Sequence, residues 1–376
     1  MDERDVLIAL NQKRNLSRAA VCRLGLDVST WRDAKRGDRG LAEHLGVPLA
    51  QLDKALAATA RAPQVASAEE RAAAEQGCRV LTRLDDEYPS ALGDLSLPPP
   101  VLYCRGSLPD GPALGIVGSR RASSEGLRIA DLFAAGLAAR GVVVVSGFAV
   151  GVDQKAHRAA VEVGGKTVAV HGCGLDIDYP RGSKSLSRAI AASGASITEF
   201  PFGSEPRAWH FPVRNRVIAA LSAGVLVAQA KQRSGSLITA RLALELGRDV
   251  FAVPGSIFEP LSMGGNGLIA DGAAAVMSPD DVLDHLSLGW QATLFPEPSA
   301  GAPQAPGAST SSPPRLPDGA GRKVYGAIPD RGAATAEDIA GALGLAVDQV
   351  LATLLELELQ GYVLRQPGPV YVRALR

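Results

Sequence analysis

Between Leu114 and Val253, short apolar runs alternate with stretches in which apolar residues recur every third or fourth position. The runs Leu114–Val117, Val142–Val145, Thr167–Val170, Ser196–Thr198, Val225–Ala228 and Asp249–Val253 read as strands. Between them, Ser124–Ala139, Asp153–Val163, Ser183–Ala192, Val213–Leu221 and Ser236–Leu246 carry helical periodicity. This alternation predicts an α/β domain, a parallel sheet wrapped by helices on both faces. In such folds ligands sit beyond the carboxyl ends of the strands.

The flanks follow other patterns. Residues 1–65 read as short helices broken by Gly25, Gly37, Gly40 and Gly46, a small helical domain. Its Arg32–Arg39 stretch is basic but interleaved with Asp33 and Asp38, which suits a solvated loop better than a DNA contact. An alanine- and glutamate-rich connector, 66–78, leads to Val80-Leu81 and the Pro98-Pro99-Pro100 turn. The central domain is placed at 79–289. Residues 290–321 are rich in Pro, Ala, Ser and Gly and predict a disordered linker. In 322–376, helices near Lys323–Ile328, Ala336–Leu343 and Val347–Leu359 precede strands Tyr362–Gln366 and Val370–Arg373, turned by Pro367-Gly368. Three helices and a β-ribbon predict a winged-helix-like domain.

Composition narrows the chemistry. Lysine plus arginine equal aspartate plus glutamate at 39 each, so a polyanion would have to meet a local patch. Cys22, Cys78, Cys104 and Cys173 are scattered without a CxxC pair, which argues against a disulfide framework or a metal site. No apolar run approaches a membrane span, and a cytoplasmic protein without membrane partners is expected.

Four loops fall at carboxyl ends of the expected strands. Gly118-Ser119-Arg120-Arg121 follows the first, Ser146-Gly147 through Asp153 the second, Gly172 through Asp176 with Tyr179-Pro180 the third, and Ser234-Gly235-Ser236 the fifth. Glycine lets a backbone come close, helix starts offer unpaired N–H donors, and arginine adds a fixed positive fork. Several such loops on one edge imply a long anion-lined groove. No GxGxxG follows the first strand and no acid ends the second, which excludes a dinucleotide site. Gly164-Gly165-Lys166-Thr167 resembles the tail of a P-loop, but Ala160 replaces its first glycine and the segment runs from helix to strand. No cofactor is expected.

Trp209-His210-Phe211-Pro212-Val213-Arg214-Asn215-Arg216 puts aromatics beside two arginines and an amide, a set able to stack a base and hold its phosphate, though Phe211 alone suits ordinary core packing equally well. On a helix starting at Val213, Arg214 falls near the apolar stripe and Arg216 points elsewhere. One of the two would brace the fold and the other meet a ligand.

Taken in order, Val117-Gly118-Ser119-Arg120, Ser146–Asp153 with His157, Phe211–Arg216, Ser234–Ala240 and Val253-Pro254-Gly255-Ser256 resemble the bacterial DNA-processing family DprA/Smf. The resemblance covers about Leu81 to His285, and the terminal regions resemble its accessory domains, a SAM-like one before and a winged helix after. It implies an extended Rossmann-like sheet that binds single-stranded DNA as a homodimer without catalytic turnover. It further implies protection of incoming strands in natural transformation and loading of RecA with displacement of single-strand-binding protein. By motif, Gly118, Ser119, Arg120 and Arg121 would hold phosphate and Ser146-Gly147 would support the groove. Arg181 and Arg207 would add basic contacts, Phe211 would stack a base, and Arg214, Asn215, Arg216, Ser234, Gly235 and Ser236 would complete the site. Leu268 and Ile269, within the glycine-rich Leu261–Val276, would contribute a dimer contact.

Two departures stand out. Gln229 replaces a usual glutamate at the groove floor, and Ser183 replaces an asparagine after the Tyr-Pro pair. The Val347–Leu359 helix carries Asp348, Glu356 and Glu358 and no lysine or arginine, so DNA phosphate would repel it; the tail is expected to contact protein, with Arg365, Arg373 and Arg376 as its only basic face. The competing reading is a phosphoribohydrolase-like nucleotide enzyme with Asp153, His157 and Glu199 as acids or bases. The Pro-Gly-Gly-x-Gly-Thr pattern of that class is missing.

Overall fold

Strands covered on both faces carry continuous apolar runs, as Leu114–Val117, Val143–Val145 and Val225–Ala228 do here. In the computed structural model the chain forms two compact units, Met1–Glu297 and Pro298–Arg376. The structure describes residues 2–13, 15–286, 320–329, 334–359, 362–366 and 370–373. The expected linker 290–321 lies almost wholly outside the described residues.

The first unit begins with helices α1 (Glu3–Asn11), α2 (Arg18–Leu26), α3 (Arg39–His44), α4 (Leu49–Thr59) and α5 (Ala62–Glu75). Asp2, Ser17 and Asp38 cap the first three, each accepting a backbone N–H of the first turn. Helix α5 runs through the expected connector, as its alanine content allows. Trp31, fully buried, donates its indole N–H to Leu24 O at 2.8 Å and centres this layer.

Next come β1 (Arg79–Thr82) and β2 (Val101–Gly106), an antiparallel pair. Val101 and Tyr103 pack under the N-terminal helices, while Leu102 and Cys104 face the opposite core. The helical layer therefore shares its core with the edge of the sheet.

The remaining elements are β3 (Ala113–Gly118), α6 (Ser124–Ala139), β4 (Val143–Ser146), α7 (Val152–Glu162), β5 (Thr167–Val170), α8 (Lys184–Ser193), β6 (Ala195–Thr198), α9 (His210–Ala220), β7 (Gly224–Gln229), α10 (Gly235–Glu245), β8 (Asp249–Ala252), α11 (Met263–Ala270), β9 (Ala274–Ala275) and α12 (Pro279–His285). They complete a nine-stranded sheet of order β1-β2-β6-β5-β4-β3-β7-β8-β9, parallel from β6 to β9. Helices α6, α7 and α12 cover one face, against Leu114, Ile116, Val144 and Phe251. Helices α9 and α10 cover the other, against Val117, Val145 and Val227. The chain fills one side of β3 through β6, then returns to the other side at β7. That reversal opens a crevice at the carboxyl ends of β3 and β7.

Helix α9 starts one turn before Val213. Proline at the third helical position is tolerated because the first-turn N–H groups have no intrahelical partner. Buried His210 holds the new start, its Nδ1 3.0 Å from Gly172 O and its ring stacked on Phe200 at 4.1 Å.

The second unit contains α13 (Ala320–Ala327), β10 (Ala334–Thr335), α14 (Ala336–Leu343), α15 (Val347–Leu359), β11 (Val363–Gln366) and β12 (Val370–Arg373). The strands pair in the order β10-β12-β11, giving a winged-helix arrangement around Val324, Ile339, Val350, Leu354 and Tyr371. Thr335 and Asp338 form a reciprocal capping box at α14. On α15, Val347, Leu351 and Leu355 are exposed beside Asp348 and Glu356. The expected Pro367-Gly368 turn and Arg376 lie outside the described residues.

Candidate nucleic-acid interface

Three loops meet at the crevice because their backbones bond directly. Ser119 N–H donates to Gln229 O at 2.8 Å, tying the end of β3 to the end of β7. Val152 N–H donates to Ser119 O at 3.3 Å, bringing in the loop after β4. Gly151 makes that approach possible: its φ is +89°, and a Cβ would collide with Ser119 O. Ser119 Oγ accepts from Arg121 N–H at 3.1 Å, and Ser123 caps α6 by accepting from Gly126 N–H at 3.1 Å.

Gln229, in place of the expected acid, is buried and works on this cap. Its Oε1 accepts from Ser123 N–H at 3.0 Å and its Nε2 donates to Ser123 Oγ at 2.8 Å. The amide uses both its donor and its acceptor on one residue, a pairing a carboxylate lacks.

The loop so fixed sets the Arg120 guanidinium over the Phe211 ring, 4.6 Å from its centroid. Tyr179 meets Phe211 at 5.6 Å with a 38° tilt. Gly172 lets the ring sit close, for a Cβ there would be 2.9 Å from it. Across the crevice, exposed Lys231 and Arg233 lead into α10, whose Ser234 caps the helix and shares a 2.7 Å contact with Ser236 Oγ. The resulting groove has a volume of about 750 Å³. Exposed Arg120, Arg121, Lys231 and Arg233 line it, and Asp153 is the one acid among the described lining residues.

The floor holds two buried ionisable groups, Arg214 and Asp153. Arg214 donates to Gly147 O at 2.6 Å, to Val170 O, and to Asn215 Oδ1 at 3.1 Å. Asn215 in turn donates to Gly235 O at 3.3 Å. Burial lowers the Arg214 guanidinium to about 10 despite the nearby Asp153. Burial raises Asp153 to about 6 against the pull of Arg214, and its Oδ2 accepts from Ala149 N–H at 3.3 Å.

The expected site residues therefore separate. Gly118, Ser119, Arg120, Arg121, Phe211, Arg214, Asn215, Ser234, Gly235 and Ser236 line one groove. Ser146 lies beneath it, fully buried, with its hydroxyl donating to Ile116 O. Gly147 is also buried, and its carbonyl receives Arg214. Arg181 and Arg207 are exposed on neighbouring loops, outside the groove lining. Arg216 requires a correction. It donates to Glu199 at 2.8 Å and to Leu97 O, on a different side of α9, so it does not form the rim. The expectation that one of Arg214 and Arg216 braces the fold resolves into both doing so. Lys231 and Arg233 were missed, although their place just before a hydroxyl–glycine helix start marked them. Leu268 and Ile269 of α11 are half-buried, Leu268 against the sheet core.

Of the residues of the competing enzymatic reading, Asp153 lines the groove, while His157 and Glu199 are not among its lining residues. His157 Nδ1 lies 2.7 Å from Thr167 Oγ1, which donates to Val144 O, and burial with the Arg214 charge lowers its ring to about 3. Since that hydroxyl donates elsewhere, Nδ1 carries the proton. Glu199 accepts from both Arg18 and Arg216. Asp153, in the first turn of α7 after the Gly151 cap, holds the preceding turn by accepting from Ala149 N–H. Among the described residues no cluster suits a metal ion, and no single helix is long and apolar enough to cross a membrane.

Comparison with known proteins places the two parts of the chain in one family. The family model described as DNA recombination-mediator protein A matches residues 79–287, and that of the DprA winged helix domain matches 304–369. A protein named Smf from Synechocystis is 36% identical over 321 residues, 78% of this chain and 79% of that one. The X-ray structure of DNA processing protein A from Streptococcus pneumoniae matches with a TM-score of 0.64 at 37% identity, covering 74% of this chain and 97% of that one. A Helicobacter pylori DNA processing protein A, described for its single-stranded DNA binding mode, matches at 0.51 and 30% identity, covering 56% and 96%.

Proposed function

We propose that this chain, which belongs to the DNA recombination-mediator protein A family, holds single-stranded DNA in the groove between the ends of β3 and β7. The observation that carries this reading is the Arg120–Phe211 pair, 4.6 Å apart at the groove mouth. An unpaired base can stack on such a platform, while a duplex keeps its bases stacked on one another. Arg121, Lys231, Arg233 and the start of α10 supply the charge and N–H donors that phosphates need. The braced floor keeps this surface fixed before the strand arrives.

The strand is held and not cut. Arg181 and Arg207 extend the basic contacts at the edge of the groove. In the cell the protein covers incoming strands during natural transformation, displaces single-strand-binding protein and loads RecA, as a cytoplasmic homodimer with α11 in the contact. Fluorescence anisotropy with single-stranded, double-stranded and mixed oligonucleotides tests the central claim. Single strands are expected to bind tightest, with a marked salt dependence. Equal affinity for blunt duplex, or no binding to single strands, would refute it. RecA assembly on strands already coated with single-strand-binding protein tests the mediator role, which fails if adding this chain leaves the assembly rate unchanged.

A further inference from the structure

A second cavity of about 520 Å³ opens on the same sheet edge, beyond Tyr179, whose ring walls both spaces. Its chemistry suits an anion. Exposed Lys184 and Arg188 lie on the first turns of α8, a ten-residue helix, with Ser187 between them. Arg105 stands opposite, held in place by donating to Gln76 O and to Leu175 O. Asp176 and Asp178 also line the space, but each accepts a backbone N–H, from Gly203 at 2.8 Å and from Gly182 at 3.2 Å. The wall contains His171, only 6% exposed, whose Nε2 is buried without a partner. Exposed Arg181 sits on the short loop from Tyr179 to α8.

From this arrangement, and resting on the reading of the groove as a single-strand site, we propose that the cavity at the start of α8 is a second phosphate subsite for the same strand. The strand leaves the Phe211 platform, crosses Tyr179 and Arg181, and sets its next phosphates against Lys184, Arg188 and the N–H groups of α8. The shared chemistry is a phosphate monoanion or diester; the source assigned here is a continuing DNA strand and not a free nucleotide.

The test uses the full chain and the double variant Lys184→Ala/Arg188→Ala, which alters exposed side chains alone. Affinities are measured for oligothymidylates of about five and about twenty nucleotides, which bracket typical single-strand site sizes. The variant should bind the short oligonucleotide as the parent does and the long one at least about threefold more weakly, with a log–log salt slope shallower by about 1.4, since each phosphate contact contributes about 0.7. Arg188→Lys in the otherwise unaltered chain should keep the parental long-strand affinity. An unchanged slope and affinity for the long strand would overturn the subsite. So would equal losses at both lengths, or binding of dTMP or inorganic phosphate that the double variant abolishes. A parent chain that binds neither length would instead refute the groove reading itself.

Discussion

Arg216 donates to Glu199 Oε2 at 2.8 Å, deep between α9 and the N-terminal helices. Arg18 of α2 donates to the same oxygen at 3.0 Å, and the Glu199 side chain is 1% exposed. Asn11 completes the junction, accepting from Arg18 at 2.8 Å and donating to Glu199 O at 3.2 Å. Removing this carboxylate leaves two largely buried guanidiniums without their anionic partner. Glu199→Ala should therefore cost about 3–5 kcal/mol, the usual effect of leaving buried charge uncompensated. Urea unfolding would show the loss, and proteolysis should open the first helices. Arg216→Ala should also destabilise, yet the folded protein should keep the parental affinity for short single strands; a selective affinity loss would return Arg216 to the groove.

The Arg120–Phe211 pair divides charge from stacking. Arg120→Ala should lower single-strand affinity and flatten the log–log salt slope by about 0.7. Phe211→Ala should weaken binding by about 1–3 kcal/mol with the slope unchanged. Anisotropy titrations at several salt concentrations separate the two. A Phe211 variant that binds normally would assign the ring to core packing.

Much of this was legible in the chain. Leu114–Val253 announced its strands and helices because fully covered strands are uniformly apolar and surface helices are not. The antiparallel pair β1–β2 lay outside that pattern: β1 is only Arg79–Thr82, and no α-helix stands between it and β2 to continue the alternation of strand and helix. The roles of Ser146 and Arg216 were hidden for a different reason. Sequence places a polar side chain near a loop or on a helix, but only the packed neighbours, Ile116 O and Glu199, decide whether it meets solvent. Lys231 and Arg233 stand just before the hydroxyl–glycine start of α10, a position legible in the sequence.

Acidification should weaken the fold. His157 and His171 are both lowered by burial to about 3, so the unfolded chain takes up their protons first as pH falls below 6.5. Their stabilisation is complete above 6.5 and is lost toward 3. Asp153, raised by burial to about 6, acts oppositely: the folded state takes its proton first, between about 6 and 3.8. In that interval the three groups leave a net slope near one proton, about 1.4 kcal/mol per pH unit. Asp153→Asn should roughly double it, as read from urea midpoints at several pH values. An unchanged slope would mean that Asp153 is ionised throughout.

Gly151→Ala should strain the loop after β4 and push on Ser119. A residue forced into that backbone region costs of order 1–3 kcal/mol. Single-strand affinity should fall with it, since the Arg120 loop hangs on the same contact. Thermal melts and anisotropy together check this; parental values in both would show that the loop accommodates a methyl group.

Deleting everything after Trp290 should change single-strand affinity by less than about tenfold, or 1.4 kcal/mol. The outward side of α15 presents Leu351 and Leu355 beside acids, a surface that repels phosphate. A larger loss in anisotropy titrations would give the tail a direct share in DNA.

Helix α9 has two clients. Its first turn carries the aromatic platform, and its middle is bolted through Glu199 to the layer formed by residues 3–75. A version trimmed to start at Arg79 would not be the same fold in miniature: it would bare to water the charged socket that Glu199 and Arg216 share with Arg18.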